Sequence, residues 1–156
     1  MTASNILIRD EVYLRINLKK TLAGFVLNDW DIEKTWIPFE RLETMNEDGK
    51  VYVIGLAAND VDALSRTNMG LREYRVQVGL QVPKVDNQDD SRIDQLVELV
   101  EQLETVCRKE VALDGFSFVR LEYMKDENDV PFSFMGMREA DMFEAYFTAT
   151  YNTILT

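Results

Sequence analysis

The sequence predicts an α+β fold: a mainly antiparallel sheet of about five strands with two main helices packed on it, in the order α-β-β-β-α-β-β. Three observations predict it. Strict two-residue alternation of apolar and polar residues runs from Arg72 to Val82. An apolar stripe with helical spacing runs from Ile93 to Cys107. The strand-like segments follow one another through loops, which favours antiparallel neighbours with helices on one side. The 156 residues fit one domain spanning 1–156.

The first segment, Asn5 to Leu27, reads as a helix. Leu7, Leu14, Leu18 and Phe25 recur near three- and four-residue spacing, with Ile8, Val12 and Ile16 beside them. So wide an apolar face has either two partners, the protein's own core and a second surface, or a sheet that covers the whole broad stripe. Asn28-Asp29 begins a turn. Ile32 to Ile37 reads as a short strand ended by Pro38, which has no N–H to give a ladder. Phe39 to Lys50 is a connection with a turn at Glu47-Asp48-Gly49-Lys50. Val51 to Ala58 is dense in β-formers and reads as a strand buried on both faces. Asn59 to Gly70 has no apolar period and reads as a long, mobile loop.

In the next strand Arg72, Tyr74, Val76, Val78, Leu80 and Val82 point one way. Glu73, Arg75, Gln77, Gly79 and Gln81 point the other, predicting one buried and one wet face. After the acidic linker Asp86 to Asp90, Ser91 is placed as an N-cap with Asp94 completing a near capping box. The helix that follows has the stripe Ile93, Leu96, Val97, Val100, Leu103 and Cys107, with Arg108 and Lys109 in its last turn. Gly115 to Tyr123 reads as a strand with Val119, Leu121 and Tyr123 on one face. Asp126 to Arg138 is a connection that carries Phe132, Phe134, Met135 and Met137. Apolar side chains on a loop are either tucked into the core or offered to a partner. Met142 to Thr153 is the last strand, alternating Phe143, Ala145, Phe147, Ala149 and Tyr151 against polar residues and Tyr146.

Composition narrows the function. Twenty-eight acids against seventeen bases give −11, which disfavours a general phosphate-binding surface and suits either plain solubility or a wall that nucleic acid passes without sticking. Histidine is absent and Cys107 is the one cysteine. No Ser-His-Asp triad, Cys-His pair or His-based zinc site can be built, and no intrachain disulfide. Cys107 falls on an apolar helix face and reads as a small buried hydrophobe. Asp86 to Asp90 has Ser91 where a calcium loop needs its sharp-turn glycine. Asp60, Asp62, Asp126, Glu127 and Asp129 read as solvated charge. Glu122 and Lys125 lack the converging second carboxylate and basic surface of a magnesium nuclease. Gly49, Gly55, Gly70 and Gly79 are too scattered for a phosphate loop. The expectation is therefore a non-enzyme with no catalytic residue, metal or cofactor. The N-terminus has no basic n-region, and no apolar run nears the ~18 residues of a membrane span, so no signal peptide or anchor is expected.

Several segments together resemble the phage tail-terminator (tail-completion) family, of which lambda minor tail protein U is the familiar member. They are a long N-terminal helix before Trp36-Ile37-Pro38, the buried strand Val51-Tyr52-Val53-Ile54 before a long polar loop, and Arg72-Glu73-Tyr74-Arg75-Val76-Gln77-Val78. A helix opening near Ser91 and the closing strand Phe143 to Tyr151 complete the pattern. The apolar Phe132 to Met137 loop has no counterpart in that pattern. The resemblance implies a ring, expected to be a hexamer, that ends the tail tube, stops its polymerisation and presents the head-joining surface. Implied partners are further copies of the chain, the tail tube protein and a head-side connector or neck protein. DNA passes through without specific binding, and no membrane is involved. The place implied is the virion tail or neck, assembled in the bacterial host cytoplasm. The alternatives are another neck or head-closure component, or a soluble non-enzymatic adaptor or inhibitor. Three groups are expected at subunit or partner interfaces: Arg66, Met69 and Arg72 in and after the first loop; Phe132, Phe134, Met135 and Met137 in the second; and Leu7, Leu14 and Leu18 on the wide helix.

Overall fold

β-Branched and aromatic residues at alternate positions make the centre of this molecule a sheet. The computed structural model describes residues 4–20, 31–36, 49–56, 59–60, 71–86, 88–123 and 142–154. Its elements are α1 (Ser4–Lys19), β1 (Asp31–Thr35), β2 (Lys50–Gly55), the two-residue β3 (Asn59–Asp60), β4 (Leu71–Val82), α2 (Asp90–Thr105) with a closing π turn (Val106–Glu110), β5 (Ser117–Tyr123) and β6 (Phe143–Ile154). The five long strands lie in the order β1-β2-β4-β6-β5. Only the β1–β2 pair is parallel among the described strands; β4 pairs along its whole length with β6, from Leu71 opposite Ile154 to Val82 opposite Phe143. The expected α+β class and element order are those observed.

The core lies on one face. Val51, Val53, Val76, Val78, Leu80, Phe143, Phe147 and Tyr151 meet Ile8, Val12 and Ile16 of α1 and Leu96, Leu99, Val100 and Leu103 of α2. α1 lies over β1, β2 and β4, and α2 approaches β6. Cys107 is in this core and is a free thiol. Burial pushes it up to about 12, so it stays protonated and acts as a small hydrophobe, as expected.

α2 ends on side chains from two other elements. The Tyr151 hydroxyl donates to the Cys107 carbonyl at 2.8 Å. The Ala112 N–H, five residues on from that carbonyl, donates instead to Glu11 Oε1 of α1 at 3.3 Å. A helix end buried without partners would be costly, and here β6 and α1 supply them.

Several sequence expectations change. α1 is described to Lys19, with the Lys20 N–H closing onto the Ile16 carbonyl, and positions 21–27 lie outside the described residues. The α2 N-cap is Asp89, not Ser91: its carboxylate accepts from the Arg92 N–H at 3.1 Å and starts the helix two residues earlier. β2 stops at Gly55 rather than Ala58. Its place beside β4 passes to β3, where Asn59 and Asp60 pair with Glu73 and Arg72, so the first two residues of the expected loop are strand.

The sheet's second face is not uniformly wet. Tyr52, Ile54, Gln81, Tyr146 and Thr150 are buried there. Tyr52, Gly79 and Tyr146 stand in one row across β2, β4 and β6. A Cβ on Gly79 would strike the Tyr146 ring, so the glycine makes room for the aromatic that covers it. Alternation reports which residues share a face, not whether that face meets water. In β5 the pairing slips between Phe118 and Arg120. This bulge turns Phe118 to the core, where its ring meets Tyr151 edge-on at 5.8 Å, and leaves Val119 exposed rather than inward.

Candidate interaction surface

α1 carries two apolar rows. At about 100° per residue, Ile8, Val12 and Ile16 centre on one side, and Leu7, Leu14 and Leu18 fall within an arc of about 40° some 140° away. The first row is buried in the core, and the leucines are 38, 45 and 53% exposed. The row expected to reach a second surface is thus the outward one, and the wide face resolves into two.

The residues beside the leucines are fixed. Glu11 Oε1 accepts from Arg15 Nε at 2.7 Å as well as from Ala112, so this carboxylate is drawn toward the end of α2 and away from the leucines. Lys19 Nζ lies 3.2 Å from Glu110. On the other flank Arg9 donates from Nε and Nη2 to Asp10 Oδ1 at 3.0 and 2.9 Å, and Lys34 Nζ lies 3.5 Å from the same oxygen. The Arg9 guanidinium stands 4.5 Å from the centre of the Trp36 ring, which lies on Gly55 where a Cβ would collide with it. These contacts tie α1 to β1 and to α2, so the leucine row is presented on a rigid element.

Of the remaining expected interface residues, Arg72 alone is among the described residues. Arg72 stands in β4 with its backbone opposite Asp60 and Thr153. Arg66, Met69, Phe132, Phe134, Met135 and Met137 lie outside the described residues. Two exposed apolar residues were not expected from sequence: Trp36 beside α1 and Val119 at the β5 bulge. The signal for Val119 was present, because Phe118 and Leu121 are three apart and a regular strand cannot put both on one face.

On the sheet's second face Arg120 makes a bidentate pair with Glu73, Nη1 and Nη2 each 3.0 Å from a carboxylate oxygen, and a third bond from Nε to Glu122 at 2.6 Å. The Arg120 bonds hold Glu73 below the usual carboxylate range. The clamp reaches over β6 and joins β5 to β4; both cation and anions are satisfied internally. A cleft of about 370 Å³ opens between the end of α1 and α2, lined by Lys19, Glu98, Glu101, Gln102 and Glu110 among others. It is acidic, and Lys19 is already paired within it. Among the described residues no group of three or more Asp, Glu, His or Cys is placed to hold a metal ion. No helix among them is long and apolar enough to cross a membrane.

No family model matches the chain, and no curated protein matches it in sequence. Among solved structures it is similar to a chain from a "virion of native gene transfer agent (GTA) particle", at 12% identity and a TM-score of 0.50, over 98% of both chains. That likeness establishes a shared fold along the whole length. The class is thus a small α+β domain.

Proposed function

We propose that this protein is a structural component of a phage or phage-like virion, and that it acts as a tail terminator: a ring, of six copies, at the head-proximal end of the tail tube. The observation that carries this reading is the end-to-end fold likeness to a chain of a gene transfer agent particle, with 98% of both chains aligned. The sequence pattern resembling tail terminators supports the same place in the particle. The exposed leucine row on a braced helix supports a role in protein contact, since apolar surface presented this way is stabilised when covered.

The mechanism is steric and adhesive. One face of the ring meets the last layer of tube subunits and leaves no surface for the next. The other receives the head-side connector. The net charge of −11 suits a ring through which DNA slides, since carboxylates repel phosphate. No step requires catalysis.

Negative-stain microscopy of the purified protein over a concentration series, with and without tail tube protein, tests this. Six-membered rings with a central hole, or a six-fold cap at tube ends, are expected. Removing the gene from its particle should give tubes of uncontrolled length and no joined heads. Particles that assemble with tubes of normal length in its absence would overturn the proposal.

A further inference from the structure

We propose that, before it assembles, the protein associates with a second copy of itself through α1, the two helices packing antiparallel with their leucine rows face to face. The inference uses the interaction surface described above and adds a state of the free protein to the proposed ring. Its occupant is argued from charge. In an antiparallel pair centred between positions 12 and 13, Leu7 lies opposite the partner's Leu18, and Leu14 lies opposite the partner's Glu11. Each turn of the seam then holds a leucine.

Glu11 is the polar residue nearest the seam. Its carboxylate is already turned aside toward Arg15 and Ala112, so it does not place an unpaired charge against the opposing leucine. In this register Arg15 comes within about one residue rise, ~1.5 Å along the axis, of the partner's Glu11. Arg15 and Glu11 lie on the same flank, and antiparallel packing brings like flanks together. The existing ion pair thus becomes a four-charge cluster. On the other flank Asp10 comes near the partner's Asn17, which can donate to it. A parallel pair in register would instead set Glu11 beside the partner's Glu11 at the seam and leave Arg15 to meet the partner's Asp10. The side-chain pattern therefore selects the antiparallel arrangement.

One helix face of 16 residues is well below the ~800 Å² per partner of a standard interface. The pair is accordingly weak and concentration-dependent. It covers the leucines while the chain is free and yields them when a larger interface is offered.

The test uses cysteine crosslinking in the full chain, where the buried Cys107 does not compete. Leu7→Cys and Leu18→Cys proteins are made separately, mixed and oxidised. A disulfide between the two variants, with little in either variant alone, is expected. Crosslinking of Leu7→Cys to itself would indicate a parallel pair and overturn the proposal. In parallel, sedimentation should show a monomer–dimer equilibrium in the native chain. Leu14→Asp should raise the half-association concentration at least ~tenfold while leaving the circular dichroism spectrum intact. A native chain that stays monomeric to high concentration, or a dimer unmoved by Leu14→Asp, would also overturn it. Rings formed by a chain that never dimerises would sink this inference and leave the terminator reading standing; dimers without any ring would do the reverse.

Discussion

The two helices have equal length and opposite surfaces. α2 buries Leu96, Leu99, Val100 and Leu103, and its outer side carries exposed acids such as Glu98 and Glu101. α1 buries Ile8, Val12 and Ile16, and its outer side carries Leu7, Leu14 and Leu18. Both helices therefore meet the needs of one core, and α1 has apolar surface left over. A helix that is apolar on both sides is usually covered on both. The difference locates the part of the molecule that a monomer does not satisfy.

The sharpest way to break that comparison is to put a charge in each row. Val12→Asp and Leu103→Asp bury an unpaired carboxylate and should each cost on the order of 4–5 kcal/mol or more. That is a large share of the ~5–15 kcal/mol typical of a domain. Leu14→Asp should cost no more than about 0.7 kcal/mol, chiefly helix propensity. Urea unfolding of the three variants at low protein concentration measures this. If Leu14→Asp unfolds like the other two, the outer row belongs to the core and the contrast is lost.

The ends of the helices differ too. α2 ends on the Tyr151 hydroxyl, a bond that is buried. Tyr151→Phe leaves the Cys107 carbonyl without that donor and should lower stability by about 1–3 kcal/mol, with the melting temperature falling and the spectrum unchanged. A smaller loss is expected where α1 reaches α2. Glu11→Ala removes the acceptor of both Arg15 and the Ala112 N–H and should cost about 1 kcal/mol. An equal or larger cost for Glu11→Ala than for Tyr151→Phe would mean that α1, not the sheet, fixes the end of α2.

How much of this was legible in the sequence follows from what a period can report. The 3.6-residue stripe of α2 and the two-residue alternation of β4 and β6 were read correctly, because local spacing alone decides which side chains share a face. The leucines of α1 were expected at an interface and are the exposed row, but spacing alone does not choose between two aliphatic rows, because the sheet that buries one of them is distant in the chain. The second sheet face was read correctly on β2, which was expected to be buried on both sides, and misread on β4 for a related reason. Gln81 and Thr150 are polar by type yet buried, and what buries a residue is tertiary. Asp89 rather than Ser91 caps α2 because both are good caps two residues apart. Here the turn in which the Gln88 N–H bonds Asp86 at 3.0 Å feeds the earlier one.

The smallest expected effect concerns the polar side of α2. Glu104 is raised from the usual carboxylate range, chiefly because it is partly buried, and the Tyr123 hydroxyl bonded to it offsets that only in part. The sign follows from proton binding. The folded chain holds this proton to higher pH than the unfolded chain, so the contribution is fully present below the ordinary carboxylate value and is lost as pH rises through the raised one. Glu104→Gln keeps the shape and cannot ionise. It should therefore gain stability relative to the native chain across that window, with the gain constant once the native Glu104 is ionised. Denaturant midpoints taken from pH 4 upward would show it as a difference that opens between the two pKa values and then stays level. A difference that closes with rising pH would mean that the carboxylate is stabilised by its neighbours, Arg108 among them, and that α2's outer face is held by charge more than it is strained by burial.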